Sequence, residues 1–126
     1  MATQEDVRRI ALSLPETTED PSEFRFFVAG KAFAWRWLER IHPKRRRVPS
    51  DDVIGVRVAH ELEKATLIEM DPAVFFTEPH YDGYPAILVR LAAIEPDLLE
   101  VILTDGWRSR APKRLLAETP RTSKAP

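Results

Sequence analysis

The chain contains no cysteine, which excludes disulfides, thiolate zinc sites and a cysteine nucleophile. Glycine is scarce as well: four residues stand alone at positions 30, 55, 83 and 106, so no glycine-rich phosphate loop can form. No run of consecutive apolar residues approaches the roughly 18 needed to cross a bilayer, and no basic segment followed by a long apolar run opens the chain. The expectation is a soluble, cytoplasmic protein without membrane contact. A surplus of charge is missing too, since 19 Lys and Arg face 20 Asp and Glu for a net charge of -1, which excludes a uniformly basic nucleic-acid binder. Only three histidines occur, at 42, 60 and 80, in no HxxxH or HExxH arrangement, and there is no nucleophile elbow. Neither an enzyme nor a metal or cofactor site is expected.

What the chain does hold is segregated charge. By segment the net charge is -2 over 1–35, +4 over 36–57, -8 over 58–105 and +5 over 106–126. Only the second and fourth blocks could supply a basic face, and the third would repel phosphate. A length of 126 residues suits one domain, read here as 1–118 with a disordered tail at 119–126, which lacks any large apolar side chain. Area scaling lets about two thirds of the unfolded surface be buried, enough for a core without staples.

Thr3-x-x-Asp6 has the form of a capping box, and Val7, Ile10, Ala11 and Leu14 follow at helical spacing until Pro15. Residues 16–23 read as a polar loop. Phe24, Phe26 and Val28 then alternate with Arg25 and Phe27, and Gly30-Lys31 turns the chain into Ala32 to Arg40, where strict alternation puts Phe33, Trp35 and Trp37 on one face. A terminal helix packed over that face is one explanation, and a ligand-facing tryptophan is the other. Residues 42–52 form an exposed loop. Val53 to Val58 is a strand with Ile54, Val56 and Val58 inward. Residues 59–70 read as a helix burying Leu62, Ala65 and Ile68. Short strands at Phe75-Phe76 and Ala86 to Leu91 flank a turn at Asp82-Gly83. A last helix begins at Pro96 with Leu99, Ile102, Leu103 and Trp107 along one stripe, and Gly106 is a weak point worth about 1 kcal/mol relative to Ala. Pro112 stops that helix and Leu115-Leu116 adds a turn. The fold class is α+β: an antiparallel sheet of about five strands, in the order α-β-β-β-α-β-β-α, with helices on one face.

Two groups of residues could carry function. Lys44, Arg45, Arg46 and Arg47, extended by Arg36, Arg40 and Arg57 on the flanking strands, could bind nucleic-acid phosphates without reading sequence; the plainer reading is a solvated loop. The segment from Pro79 to Pro85 is dense in rings that also hydrogen-bond. His80, Tyr81 and Tyr84 could rim a shallow pocket with Trp35 or Trp37, or stack on exposed bases, or simply lie over the core.

Several segments, in order, resemble the MmcQ/YjbR family of small bacterial proteins labelled as DNA-binding. They run from Asp6 to Glu16, then Gly30-Lys31-Ala32-Phe33-Ala34, Asp71 to Thr77, Pro79 to Ala86, Val89-Arg90-Leu91, and Arg110 to Leu115. The resemblance implies an α+β fold like that of secretion chaperones, with a double-wing arrangement of hairpins proposed to contact DNA. It supplies no catalytic residues, and the basic loop at 44–47 is not among the matching motifs. The leading expectation is a monomeric or weakly dimeric binding protein for DNA. The alternative is a protein-interaction or small-ligand module using the aromatic loop.

Overall fold

The protein is described by a computed structural model over residues 1–117, so the expected tail at 119–126 lies outside the described residues. Helix α1 (Gln4–Ser13) forms where the spacing placed it. Thr3 Oγ1 accepts from the Asp6 backbone at 3.3 Å while the Thr3 backbone donates to Asp6 Oδ2 at 3.0 Å, and Val7, Ile10 and Ala11 are buried. Hydrogen bonds from Arg9 and from the Thr3 backbone hold the Asp6 carboxyl below its ordinary range.

The next segment corrects the sequence reading. Thr17–Asp20 is a strand, β1, pairing antiparallel with β2 (Arg25–Val28). Its four residues carry no apolar alternation, so hydrophobic pattern could not reveal it. The ladder to β2 holds it at the sheet edge, and so does Arg8, whose guanidinium reaches the Glu19 carboxylate at 2.9–3.1 Å. With β3 (Lys31–Glu39), β4 (Val48–Arg57), β5 (Phe75–Phe76) and β6 (Ala86–Arg90), the sheet has six strands rather than five. Every pairing is antiparallel, in the spatial order β1-β2-β3-β4-β6-β5.

A second correction concerns the aromatic face of β3. The register pairs Arg25 with Trp35 and Phe26 with Ala34, but Phe27 with Ala32, so Phe33 is an extra residue in a β-bulge. Phe33 and Ala34 therefore both join the core under the helices, and Trp35 and Trp37 fall on the opposite face. Strict alternation had placed all three rings together, and the bulge separates them.

One face of the sheet is covered by α1 and α3 (Pro96–Arg110). Leu99, Ile102, Leu103 and Trp107 of α3 pack with Phe24, Phe26, Phe33, Ile54 and Val56, and Trp107 Nε1 donates to Pro15 O at 3.0 Å. Gly106 is not a weak point in this setting. A Cβ there would sit 2.8 Å from Val56 Cγ1 and 3.0 Å from Arg57 O, so only glycine lets α3 lie this close to β4. A short α4 (Lys113–Leu116) follows, buries Leu115, and is tied down by Arg114 to Glu16 at 2.8 and 2.9 Å.

Helix α2 (Leu62–Met70) is rotated from the expected orientation. Leu62 is 82% exposed and Ala65 is exposed; Ile68 touches the core as expected, and Leu67 joins it there. The buried residue of this helix is Lys64, 5% exposed, whose ammonium sets the rotation through the loop on the other side of the sheet.

Candidate binding cleft

The face away from α1 and α3 is built differently. Alternation after the bulge delivers Trp35 and Trp37 from β3. The cross-strand register adds Arg25 from β2, Gly55 and Arg57 from β4, and Leu88 from β6. The chain between β5 and β6, which includes a single 3-10 turn at Pro79–Tyr81, folds over this surface and contributes His80, Tyr81 and Tyr84.

Trp35 and Tyr81 form the floor. The indole Nε1 donates to Tyr81 Oη at 2.9 Å, and both rings are nearly buried in a small cluster with Val53, Ala86 and Leu88. The indole lies flat on β4 because position 55 is glycine: a Cβ there would be 2.8 Å from Trp35 Cε2 and closer still to its Nε1. Burial pushes the Tyr81 hydroxyl above the usual tyrosine range.

Above this floor the rings meet guanidinium groups. The Arg25 guanidinium carbon lies 5.6 Å from the Trp35 ring centroid and that of Arg57 lies 5.1 Å from Tyr84. Beyond the cleft, Arg90 stacks 4.0 Å from Phe76, which in turn meets Trp37 edge-on at 5.5 Å. Glu78 ties the wall together: one carboxylate oxygen accepts from Trp37 Nε1 at 3.0 Å and from Arg47 at 3.1 Å, while Arg47 also donates to Leu38 O at 2.7 Å.

The loop is held from behind by α2. The Lys64 ammonium donates to Tyr81 O at 2.7 Å, to Tyr84 O at 3.0 Å and to Glu61 at 3.2 Å, which uses all three of its protons. Glu61 also accepts from the Gly83 backbone at 3.2 Å.

The result is a cleft of about 390 Å³. All five rings singled out in the sequence border it, Trp35, Trp37, His80, Tyr81 and Tyr84, and so do Arg36 and Arg47 from the basic list. No Asp or Glu is among its described lining residues, but the Glu78 carboxylate pairs with Arg47 in the wall and that of Glu23 lies 4.0 Å from Arg25. The remaining basic candidates are placed elsewhere. Arg36 borders the cleft, yet its guanidinium lies 5.7 Å from the Phe24 ring, which belongs to the helix-covered core. Arg40 folds back onto its own loop, donating to Pro43 O and Arg45 O at 3.2 and 3.0 Å. Lys44, Arg45 and Arg46 are exposed on the β3–β4 connection, and Arg57 sits on Tyr84 at the margin.

Among the described residues of the fourth charge block, Arg114 pairs with Glu16, and Arg108 borders a groove lined by α2 and α3. Sequence reasoning missed Arg25, Gly55, Glu61, Lys64 and Glu78. Of these, only Arg25 carried a usable signal, its place on the polar side of an alternating strand facing the tryptophan strand. Among the described residues no cluster of three His, Asp or Glu is placed to hold a metal, and no helix is long and apolar enough to cross a membrane.

The profile of the YjbR family matches residues 12–109. The chain belongs to the YjbR family. The matched span runs from the end of α1 through nearly all of α3 and includes all six strands and every cleft residue. Two mycobacterial relatives are 45% identical over 123 residues, covering 92% of this chain and 94% of theirs. They are uncharacterized protein Rv2570 of Mycobacterium tuberculosis and uncharacterized protein Mb2600 of Mycobacterium bovis. No solved structure matches the chain significantly. Family membership, expected from the motif order, is thus shown. The α+β class holds with six strands in place of five.

Proposed function

We propose that this YjbR-family protein is a nucleic-acid-binding module that acts from the open face of its sheet, taking phosphates on arginines and bases on rings without reading sequence. The observation that carries this reading is the convergence of five rings with Arg25 and Arg47 in one cleft. Guanidinium groups suit phosphate, and aromatic faces accept any base. The exposed residues Lys44, Arg45 and Arg46 lie on the β3–β4 connection just ahead of Arg47, so a strand leaving the cleft past Arg47 would meet further positive charge. On this reading the hairpins β2–β3 and β3–β4 would serve as the wings.

Fluorescence anisotropy of a labelled oligonucleotide across a salt series tests this. Binding is expected at 50 mM salt, with log affinity falling linearly against log salt. Replacing Lys44, Arg45 and Arg46 by serine should flatten the slope by up to about 3, roughly one for each phosphate no longer neutralised. An unchanged slope removes the loop from the interface, and no binding at low salt removes the reading altogether.

A second reading is favoured by the cleft volume, which lies at the lower end of the range for small-molecule sites, about 300–1,000 Å³. A thermal-shift screen with small aromatic anions would support it if such a compound raised Tm where oligonucleotides did not.

A further inference from the structure

We infer that the cleft takes an unpaired base, so that the protein prefers single-stranded nucleic acid to duplex. The inference rests on the nucleic-acid reading above and adds the state of the strand. It follows from which parts of the rings are free. Trp35 and Tyr81 are committed to each other and to the strand beneath them, but Tyr84 is 40% exposed and Trp37 is half-buried. Arg57 lies over the Tyr84 ring and Phe76 meets Trp37 edge-on, yet both residues keep accessible surface, and an accessible ring is satisfied by the face of another ring. In a duplex each base face is covered by its neighbours and only edges reach the grooves. An unpaired base offers its face directly.

Electrostatics locates the rest of the nucleotide. Arg47 and Trp37 share one oxygen of Glu78, so a guanidinium is fixed beside the ring. A base against Trp37 would place its phosphate within reach of Arg47, and Arg25 stands over the opposite wall against Trp35. The volume of about 390 Å³ suits one nucleotide. The larger groove between α2 and α3, about 570 Å³, offers a contrast: both charge signs line it, Glu63 and Asp105 with Arg57 and Arg108, and no ring does.

The floor is also preformed. The Trp35–Tyr81 hydrogen bond, the close seat on Gly55 and the Lys64 clamp on the carbonyls of Tyr81 and Tyr84 fix the loop before any ligand arrives. Little ordering is left for binding to impose.

The test compares a labelled mixed-sequence single strand with the duplex of the same sequence by anisotropy at fixed low salt, with intrinsic tryptophan fluorescence as a second signal. DNA and RNA strands are run in parallel, and the tighter one names the source of the unpaired base. The single strand is expected to bind at least about tenfold more tightly than the duplex and to quench the tryptophans. Trp37→Ala should weaken single-strand binding by about 5- to 150-fold, the usual worth of one stacked base, and Trp37→Phe should restore most of it. Circular dichroism confirms that both variants are folded, and Arg25→Gln provides a variant that leaves every ring in place and should still weaken binding. Duplex binding as tight as the single strand, or equal losses for both on Trp37→Ala, overturns the unpaired-base inference while the nucleic-acid reading stands. No binding of either form overturns both. A free mononucleotide binding as tightly as the strand overturns the inference in favour of a small-ligand site.

Discussion

The two faces of one sheet are finished in opposite ways. Under α1 and α3 the sheet presents Phe26, Val28, Phe33, Ile54 and Val56, all essentially inaccessible, and Trp107 spends its one polar atom on Pro15 O. On the other face no helix among the described residues completes the cover. Rings lie on the strands there, Trp35 donates to Tyr81 and Trp37 to Glu78, and guanidinium groups close the top. A sheet face without a helix over it need not expose a greasy patch, since side chains that are apolar in body and polar at the tip can pave it. The first face holds the fold and the second faces solvent with a specific chemistry.

Tryptophan truncation should separate the faces most sharply. Trp107→Ala removes a fully buried side chain and is expected to cost about 3–5 kcal/mol, enough to unfold much of the protein in a urea titration. Trp37→Ala should cost well under half of that, because its ring is half-buried already. Comparable losses would mean that the open face is a second core.

Glycine substitution comes next. Gly106→Ala pushes α3 off β4 and should cost about 1–3 kcal/mol, less whatever helix propensity returns. Gly55→Ala should cost a similar amount but differ in readout. The Trp35 indole must lift, its bond to Tyr81 Oη breaks, and tryptophan emission should shift along with the loss of oligonucleotide binding. Unaltered emission would show that the floor can yield.

The smallest effects are those of pH, and they have opposite signs on the two faces. Burial raises the Tyr81 pKa, so the folded protein keeps a proton that the unfolded chain gives up near 10.0, and stability should fall as pH rises above that value. On the helix side, hydrogen bonding from Arg114 lowers the Glu16 pKa below 4.5. That contribution is fully present above the unfolded value and is lost as pH falls through the folded one. Urea midpoints measured at both extremes, with Tyr81→Phe and Glu16→Gln, would check each side. The acid effect should be slight because this pair is exposed.

Legibility in the sequence followed locality. The capping box of α1 and the stripe on α3 depend on residues within a turn or two, and both appear where the spacing put them. Strand β1 is polar and exists by pairing, so its signal lay in its partner. The rotation of α2 was hidden because a lone lysine on a helix reads as solvent-facing, while Lys64 reaches past the sheet to carbonyls 17 and 20 residues away. The rings of the cleft were visible as composition. Their assembly was not, since Arg25 meets Trp35 only through the register of β2 on β3. Segment charge was a poor guide. The +4 block divides among the cleft, its margin, its own loop and the helix side, and Arg25 comes from a segment of net -2.

The bulge at Phe33 has a consequence for how such a protein can change. A strand counts in twos, and one extra residue reverses the parity of everything after it. Were Phe33 paired in a regular ladder instead, Trp35 and Trp37 would turn toward the helices, and Arg36 would take their place on the outside. The boundary between scaffold and surface therefore rests on one residue of β3 being left out of the ladder. Loss of its codon would leave a regular strand with Trp35 and Trp37 still outside, and would take only the Phe33 ring from the core.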